Sequence, residues 1–514
     1  MNAISRRLLL AGAAGTALPL ALTPLPLGAA DERPGGRFPR WAADTWRSMI
    51  AMTDERTGLT ADNIDGDLDP DSRSGYTSPT NIGGYLWCTV IAHRLRLITD
   101  RERSRRLGQT LRTLDRMVRH EPSGMFYNWY DERTGDVLTS WPGSGDKVYP
   151  FLSSVDNGWL AAALAVIIGA GTDHRREAER LLDSMDFAAF YDPEARPAFG
   201  TGLLRGGFWD GEVPPDKPWV DGDYLGTGTP VHYTVNHYDT TVSETRITSY
   251  LAIARGQVPA KHYFATWRTF PAGCDWDWQE QEPVGRTRNY LGIDVFEGAY
   301  PYRNSLVVPG WGGSMFEALM PDLFVPEARW APRSWGVNHP LTVRAHRLHG
   351  LEDADYGYWG FSPASEPGGG YREYGVDPIG LNPDGYYSDA ERSNVDLGYG
   401  NCRPPGPATT FGDGVVTPHA GFLALPYDLA GGYRNLIKIA DDLDCYGPGG
   451  FYDAVAVRSG TIARRYLALD QAMIMGALGN LMAGDVLRKA FCGKEVTATI
   501  KPLIGMETFG AGLA

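Results

Sequence analysis

The sequence predicts an all-α fold, an (α/α)6 toroid with long loops and short β-hairpins over one end. Three observations carry that prediction. Apolar residues recur at helical spacing in about a dozen segments of the 514-residue chain. Neighbouring segments are close enough in sequence to pair antiparallel. Between them lie long stretches rich in Gly, Pro, Asp and aromatic residues, at 121–155, 190–240, 270–312 and 352–416, and connections of that length are usually functional. About twelve paired helices close most simply into a double ring.

The first thirty residues read as an address. Ser5-Arg6-Arg7-Leu8-Leu9-Leu10 opens an Ala/Leu/Pro-rich stretch ending at the small-residue site Gly28-Ala29-Ala30, the pattern of a twin-arginine export signal. Pro19, Pro24 and Pro26 leave the apolar run too short and too broken for a membrane span. A secreted or periplasmic location follows, with the twin-arginine export machinery as partner during secretion. Residues 31–514 are expected to form a single domain, because no Gly/Ser-rich linker or charge run divides them.

Within it the periodicity predicts helices near 39–53, 79–98, 102–120, 156–171, 174–187, 241–255, 261–268, 313–320, 337–350, 417–430, 432–443, 464–482 and 484–492. Thr77-Ser78-Pro79 marks one start, and Gly171 and Gly256 mark two ends.

Formal charge is −14, and −16 once Arg6 and Arg7 leave with the signal. Such a surface repels nucleic acid and anionic polymers, which excludes the first and argues against a uronate lyase. Cys88, Cys274, Cys402, Cys445 and Cys492 have no zinc-site spacing, and their odd number leaves at least one unpaired. A Cys402–Cys445 disulfide is one pairing open to an oxidising compartment. Fifteen Trp and 26 Tyr, many in loop-like stretches, offer flat faces that stack on sugar rings.

Carboxylates then mark the chemistry. Glu244 stands in the helix-period stretch Ser243–Gly256, where few neighbours could hydrate it. Asp156, Glu317, Asp453 and Asp470 have similar settings, and together they suggest a carbohydrate-binding cleft. Tyr76, Asn81, Tyr127, Trp129 and Trp311 are candidate subsite walls. His237, in His232-Tyr233-Thr234-Val235-Asn236-His237-Tyr238-Asp239, is expected to line a sugar subsite. The acidic stretch Asp62–Asp71 is a candidate calcium loop, although its Asp/Gly order does not match an EF-hand.

Seven ordered motifs resemble the glycoamylase-like family, which includes bacterial endo-β-1,2-glucanases and a domain of cyclic β-1,2-glucan synthases. They are Thr77–Gly83, Phe126–Asp131, Ser154–Gly158, Ser243–Arg246 with Arg255-Gly256, Ser314–Glu317, Gly450–Asp453 and Leu469–Gln471. The resemblance implies an (α/α)6 catalytic domain that hydrolyses a neutral β-glucan without metal or organic cofactor, with β-1,2-linked glucan the first choice and, as in the β-1,2-glucanases, inversion. By motif match Glu244 is the general acid. Asp453, which the tight loop of Gly449-Gly450 and the aromatics Phe451 and Tyr452 should deliver to a pocket rim, is the first choice for base and Asp470 its rival, while Asp156 and Glu317 bind sugar hydroxyls. An acid and an ionised base must coexist, so their surroundings must push their pKa values apart.

Trp359–Gly370 departs from the family's usual turn, which leaves linkage and endo or exo action open. Alternatives are another extracellular or cell-wall glycan, α-linked ones included, and a non-catalytic glycan-binding envelope protein.

Overall fold

A computed structural model describes residues 35–270, 280–381, 402, 404 and 411–513. The export signal therefore lies outside the described residues. The helices are α1 (Phe38–Met52), α2 (Pro79–Arg94), α3 (Asp100–Arg116), α4 (Ser154–Gly169), α5 (Arg175–Asp183), α6 (Arg246–Ala254), α7 (His262–Ala265), α8 (Met315–Leu319), α9 (Glu327–Trp330), α10 (Trp335–Leu348), α11 (Pro418–Ala424), α12 (Leu429–Asp441), α13 (Ala468–Met482), α14 (Val486–Phe491) and α15 (Lys494–Gly505). Among the described residues none is long and apolar enough to cross a membrane.

Two kinds of helix alternate. All nine residues of α6 and all seven of α11 are buried, and α2, α4 and α13 are apolar on every side. A helix without a polar face belongs in an interior. By contrast α3, α5 and α12 bury one stripe and expose the rest. The buried helices touch in a cycle, α13 against α2, α2 against α4, α4 against α6, α8 against α11 and α11 against α13. Arg246 joins α6 to α8 by donating to the carbonyls of Glu317 and Ala318. The amphipathic helices pack outside: α1 on α13, α3 on α2, α5 on α4, α10 on α8, α12 on α11 and α15 on α6.

Close approach inside this ring depends on glycine. A Cβ on Gly158 would collide with Thr248 of α6, and one on Gly169 with the Ala490 carbonyl of α14. Serines cap the starts: Ser78 accepts from Asn81 N at 3.2 Å and Ser153 from Asp156 N at 3.2 Å.

The long connections fold into small antiparallel sheets. One has the strand order Phe151–Ser153, Gly207–Trp209, Pro230–Thr234, Trp219–Asp223, and another pairs Tyr191–Arg196, Thr201–Arg205 and His237–Tyr238. A third sets Val284–Tyr290, Ile293–Tyr302 and Ser305–Val307 beside the C-terminal Gly512–Leu513.

Several expectations are corrected. The segment predicted as helix 241–255 becomes helical only at Arg246, so Glu244 precedes α6. The helix expected from 464 starts at Ala468, because Arg465–Leu467 pairs as a strand with Asn63–Asp65. α15 was not predicted, since its β-branched residues and Pro502 blur the helical signal. Cys445 is a buried free thiol while Cys402 is disulfide-bonded, so the Cys402–Cys445 pairing is wrong. Cys274 lies outside the described residues.

Replacing Gly169 with Ala is expected to cost about 1–3 kcal/mol, the usual penalty of overpacking. A lowered melting temperature with unchanged helical circular dichroism checks it.

Candidate active site

The first turns of the buried helices converge on one cleft. Asn81 lies in the first turn of α2, Asp156 in that of α4, Glu317 in that of α8 and Asp470 in that of α13, with His419 of α11 buried behind Asp470. Glu244 stands two residues ahead of α6. The cleft has two halves. Asn81, Asp156, Asp470, Tyr76 and Trp129 line a cavity of about 520 Å³. Glu317, Trp311, His237, Arg196 and Glu373 line another of about 740 Å³. Glu244 and Tyr371 belong to both.

Glu244 is held from two sides. Trp159 Nε1–H donates to its Oε2 at 2.6 Å, and its own backbone N–H donates to Glu317 Oε2 at 2.7 Å. Burial raises its pKa well above the usual carboxylate range, the Glu317 and Asp156 charges add to the rise, and the Trp159 hydrogen bond opposes it. Arg246 does not neutralise it. That guanidinium turns away to Glu327, with Nε to Oε1 at 2.8 Å and Nη2 to Oε2 at 3.1 Å. Tyr250 and His339 complete the shell of Glu327.

Across the cleft Asp470 and Asp453 lie side by side with His419, their facing side-chain atoms within 4.8 Å of one another. Asp470 lines the smaller cavity, whereas Asp453 is 2% exposed behind it. The rim position expected for Asp453 is thus a buried one, because Ser365 N–H draws its Oδ2 inward at 2.6 Å. Burial raises both pKa values. The Asp453 charge raises Asp470 further, well above the usual range, while the nearby Asp470 carboxyl and the Ser365 N–H limit the rise of Asp453. Of the two, Asp470 is the more strongly raised.

Glu317 braces the backbone of Glu244. Burial lifts its pKa to about 7, partly offset by the hydrogen bond from Glu244 N–H. Glu373, which the sequence analysis missed, lines the larger cavity and is lifted to about 7 by burial. Tyr371 was missed too. The signal for both was the turn Gly368-Gly369-Gly370, which delivers Tyr371-Arg372-Glu373.

Other candidates fall on either side of the line. Asp156 accepts from Thr80 Oγ1 at 2.6 Å; Ser153, not Asp156, caps α4. His237 bonds Asp192 at 2.9 Å from the cavity wall. Tyr127 lines neither cavity and donates its hydroxyl to Asp210 at 2.6 Å. The expected calcium loop is a turn whose Asp67 and Asp69 accept backbone N–H groups locally. Its first residue, Asp62, accepts from Asn81 Nδ2 at 2.9 Å in the smaller cavity.

With fold and cleft described, the family is evident. A model of the family described as "Putative glucoamylase" matches residues 236–493, half of the chain, and the chain belongs to that family. A family of unknown function, DUF3131, matches residues 40–193. Over 284 residues, 52% of this chain, it is 27% identical to the cyclic β-(1,2)-glucan synthase NdvB of Rhizobium meliloti, and it spans only 8% of that protein. The endo-β-1,2-glucanase of Chitinophaga pinensis, solved with sophorotriose and glucose, superposes with a TM-score of 0.60 at 16% identity, over 91% of this chain and 97% of that one. An endo-β-1,2-glucanase variant of Talaromyces funiculosus, solved with β-1,2-glucan, gives 0.64 at 12% identity, over 94% and 92%. These structures share the fold.

Glu317 and Glu373 keep their protons to about pH 7 when folded, whereas an unfolded Glu loses its proton near ~4.3. The folded chain binds more protons in that window, so stability is expected to fall as pH rises from about 4.3 to 7. Glu373→Gln should flatten that slope in melting curves taken across the window.

Proposed function

We propose that this chain is an exported glycoside hydrolase that cleaves a neutral β-glucan, β-1,2-linked, by an inverting two-carboxylate mechanism. Residues 31–514 act as one catalytic domain, and we read its cycle of buried helices and their outer partners as an (α/α)6 toroid. The observation that carries the proposal is the place of Glu244. A carboxyl raised by burial and by Glu317 stands where two cavities meet.

Glu244 is the general acid. Its Oε2 is occupied by Trp159, so Oε1 carries the proton to the leaving glycosidic oxygen. The Asp453–Asp470 pair is the base. Asp470 accepts the proton of the attacking water, directly or through a sugar hydroxyl, and passes its own to Asp453. The pair then holds two protons in place of one, and the negative charge rests on Glu244, which has given its proton to the oxygen of the leaving sugar. Before the reaction Glu244 is neutral and the pair carries one charge, as acid and base require.

Cavities on both sides of Glu244 accommodate sugar units on both sides of the broken bond, which supports cleavage within a chain. Tyr76, Trp129 and Trp311 supply stacking faces, and Asn81, Asp62 and Asp156 supply partners for hydroxyls. The named activities of the β-1,2-glucan synthase and glucanases it resembles support the linkage.

Glu244→Gln is expected to fold normally and lose about 10²–10⁴-fold in kcat on β-1,2-glucan. Asp470→Asn and Asp453→Asn should each lose a similar factor. Proton NMR during wild-type digestion should show the α-anomer first. Absence of any product from β-1,2-glucan, with release from another polysaccharide, would reassign the substrate. The pH profile gives a separate check: Glu317→Gln removes a charge that raises Glu244, so the alkaline limb of kcat is expected to move to lower pH.

A further inference from the structure

The two halves of the cleft are separated by a feature that the resemblance does not account for. Within the departing stretch Trp359–Gly370, the strand Ala364–Ser365 pairs with Tyr371–Arg372 across a glycine turn. Gly369 and Gly370 have φ of +109° and +99°, which side-chain-bearing residues rarely adopt, and the turn stands in open space. Arg372 pairs with Glu366 across the hairpin. Its other end is anchored, because Ser365 N–H donates to Asp453. The hairpin is therefore tied to the base pair at its root and carries Tyr371 on its returning strand.

Tyr371 is 57% exposed, and it faces the cleft, since it lines both cavities. Glu244 is the only named carboxyl that does the same. The Tyr371 phenol also lies within electrostatic reach of Asp470, Asp453, Glu373 and Glu244. An aromatic ring with that much free surface in the middle of a cleft is not packing the core. A flat face with a polar tip, placed between acid and base, is suited to touch a sugar ring and one of its hydroxyls.

We propose that Tyr371 is a substrate-binding residue that determines linkage, a post around which the glucan turns between the two halves of the cleft. This inference rests on the hydrolase reading above and deepens it. A 1,2-bond joins C1 of one ring to the carbon beside the next anomeric centre, so neighbouring rings turn sharply against each other. A β-1,4 bond joins across the ring and keeps the chain extended. A turning chain can pass from one cavity to the other around Tyr371, while a straight one meets the ring. The phenol O–H then holds a hydroxyl of the sugar next to the bond that breaks.

The test separates ring from hydroxyl. Tyr371→Phe keeps the post and loses the O–H; kcat on β-1,2-glucan is expected to fall about tenfold with KM little changed. Tyr371→Ala removes the post; KM is expected to rise about tenfold, and the distribution of product lengths to broaden. Calorimetry of a β-1,2-linked pentasaccharide with Glu244→Gln and with the Glu244→Gln, Tyr371→Ala double variant reads the contact without turnover, and the double variant should bind about tenfold more weakly. Wild-type kinetics, product lengths and binding in the Tyr371 variants would overturn the role of Tyr371 and leave the hydrolase reading standing. A wild-type chain that neither cleaves nor binds β-1,2-glucan would remove the hydrolase reading itself. Circular dichroism and melting curves show whether each variant is folded, and Tyr371→Phe preserves the packing if Tyr371→Ala does not fold.

Discussion

The site depends on one buried cation. Arg246 donates to both oxygens of Glu327, to the carbonyl of Ser243 at 2.7 Å, of Glu317 at 3.0 Å and of Ala318 at 2.8 Å, and its guanidinium lies 4.3 Å from the ring centroid of Trp335. Desolvating an ion pair is costly, and only such a complete set of hydrogen bonds offsets it. The return is positional. Those bonds fasten the turn that carries Glu244 to the first turn of α8 that carries Glu317, and so fix the acid beside the charge that raises it. Burial pushes Glu327 up, but the charge of Arg246 with hydrogen bonds from His339 and Arg246 holds it at about 2. The cation is thereby neutralised within the wall and leaves Glu244 unpaired in the cleft.

The ring sets the rest of the electrostatics. Buried helices present their N-termini to the cleft, where partial positive charge favours carboxylates. For these buried carboxyls, desolvation and mutual repulsion outweigh that help, and Glu244, Glu317, Asp156, Asp453 and Asp470 all have raised pKa values. What differs is the partner of each. Glu244 faces another carboxyl and accepts one indole N–H, whereas Asp453 lies beside Asp470 and accepts a backbone N–H. The same burial thus acts on Glu244 through a like-charged neighbour and on Asp453 through a hydrogen-bond donor as well.

Much of this arrangement is legible in the sequence. The apolar runs of α2, α4 and α13 announce buried helices, and short motifs at their starts place Asn81, Asp156 and Asp470 together. Glu244 and Glu317 could be singled out for the same reason: a lone carboxylate in an apolar stretch is seldom idle. Depth could not be read. Asp453 looked like a rim residue because its glycines promise a turn, and nothing local reveals that Ser365 pulls it behind Asp470. Tyr127 shares a motif with Trp129, yet only a long-range bond to Asp210 decides that it leaves the cleft. Glu373 and Tyr371 sit on a hairpin whose pairing is just two residues long, too short to leave a strand pattern. Helix ends were misjudged where strand pairing overrode periodicity, as at Arg465–Leu467.

The central claim is that Glu244 holds a proton that its surroundings refuse to release. The most direct measurement is a ¹³C NMR titration of the Glu244 carboxyl in protein labelled at glutamate, with Glu244→Gln used to assign the signal. The account predicts the shift of a protonated carboxyl at about pH 6, well above the ordinary titration point of ~4.3. A signal that titrates at that ordinary point would contradict it.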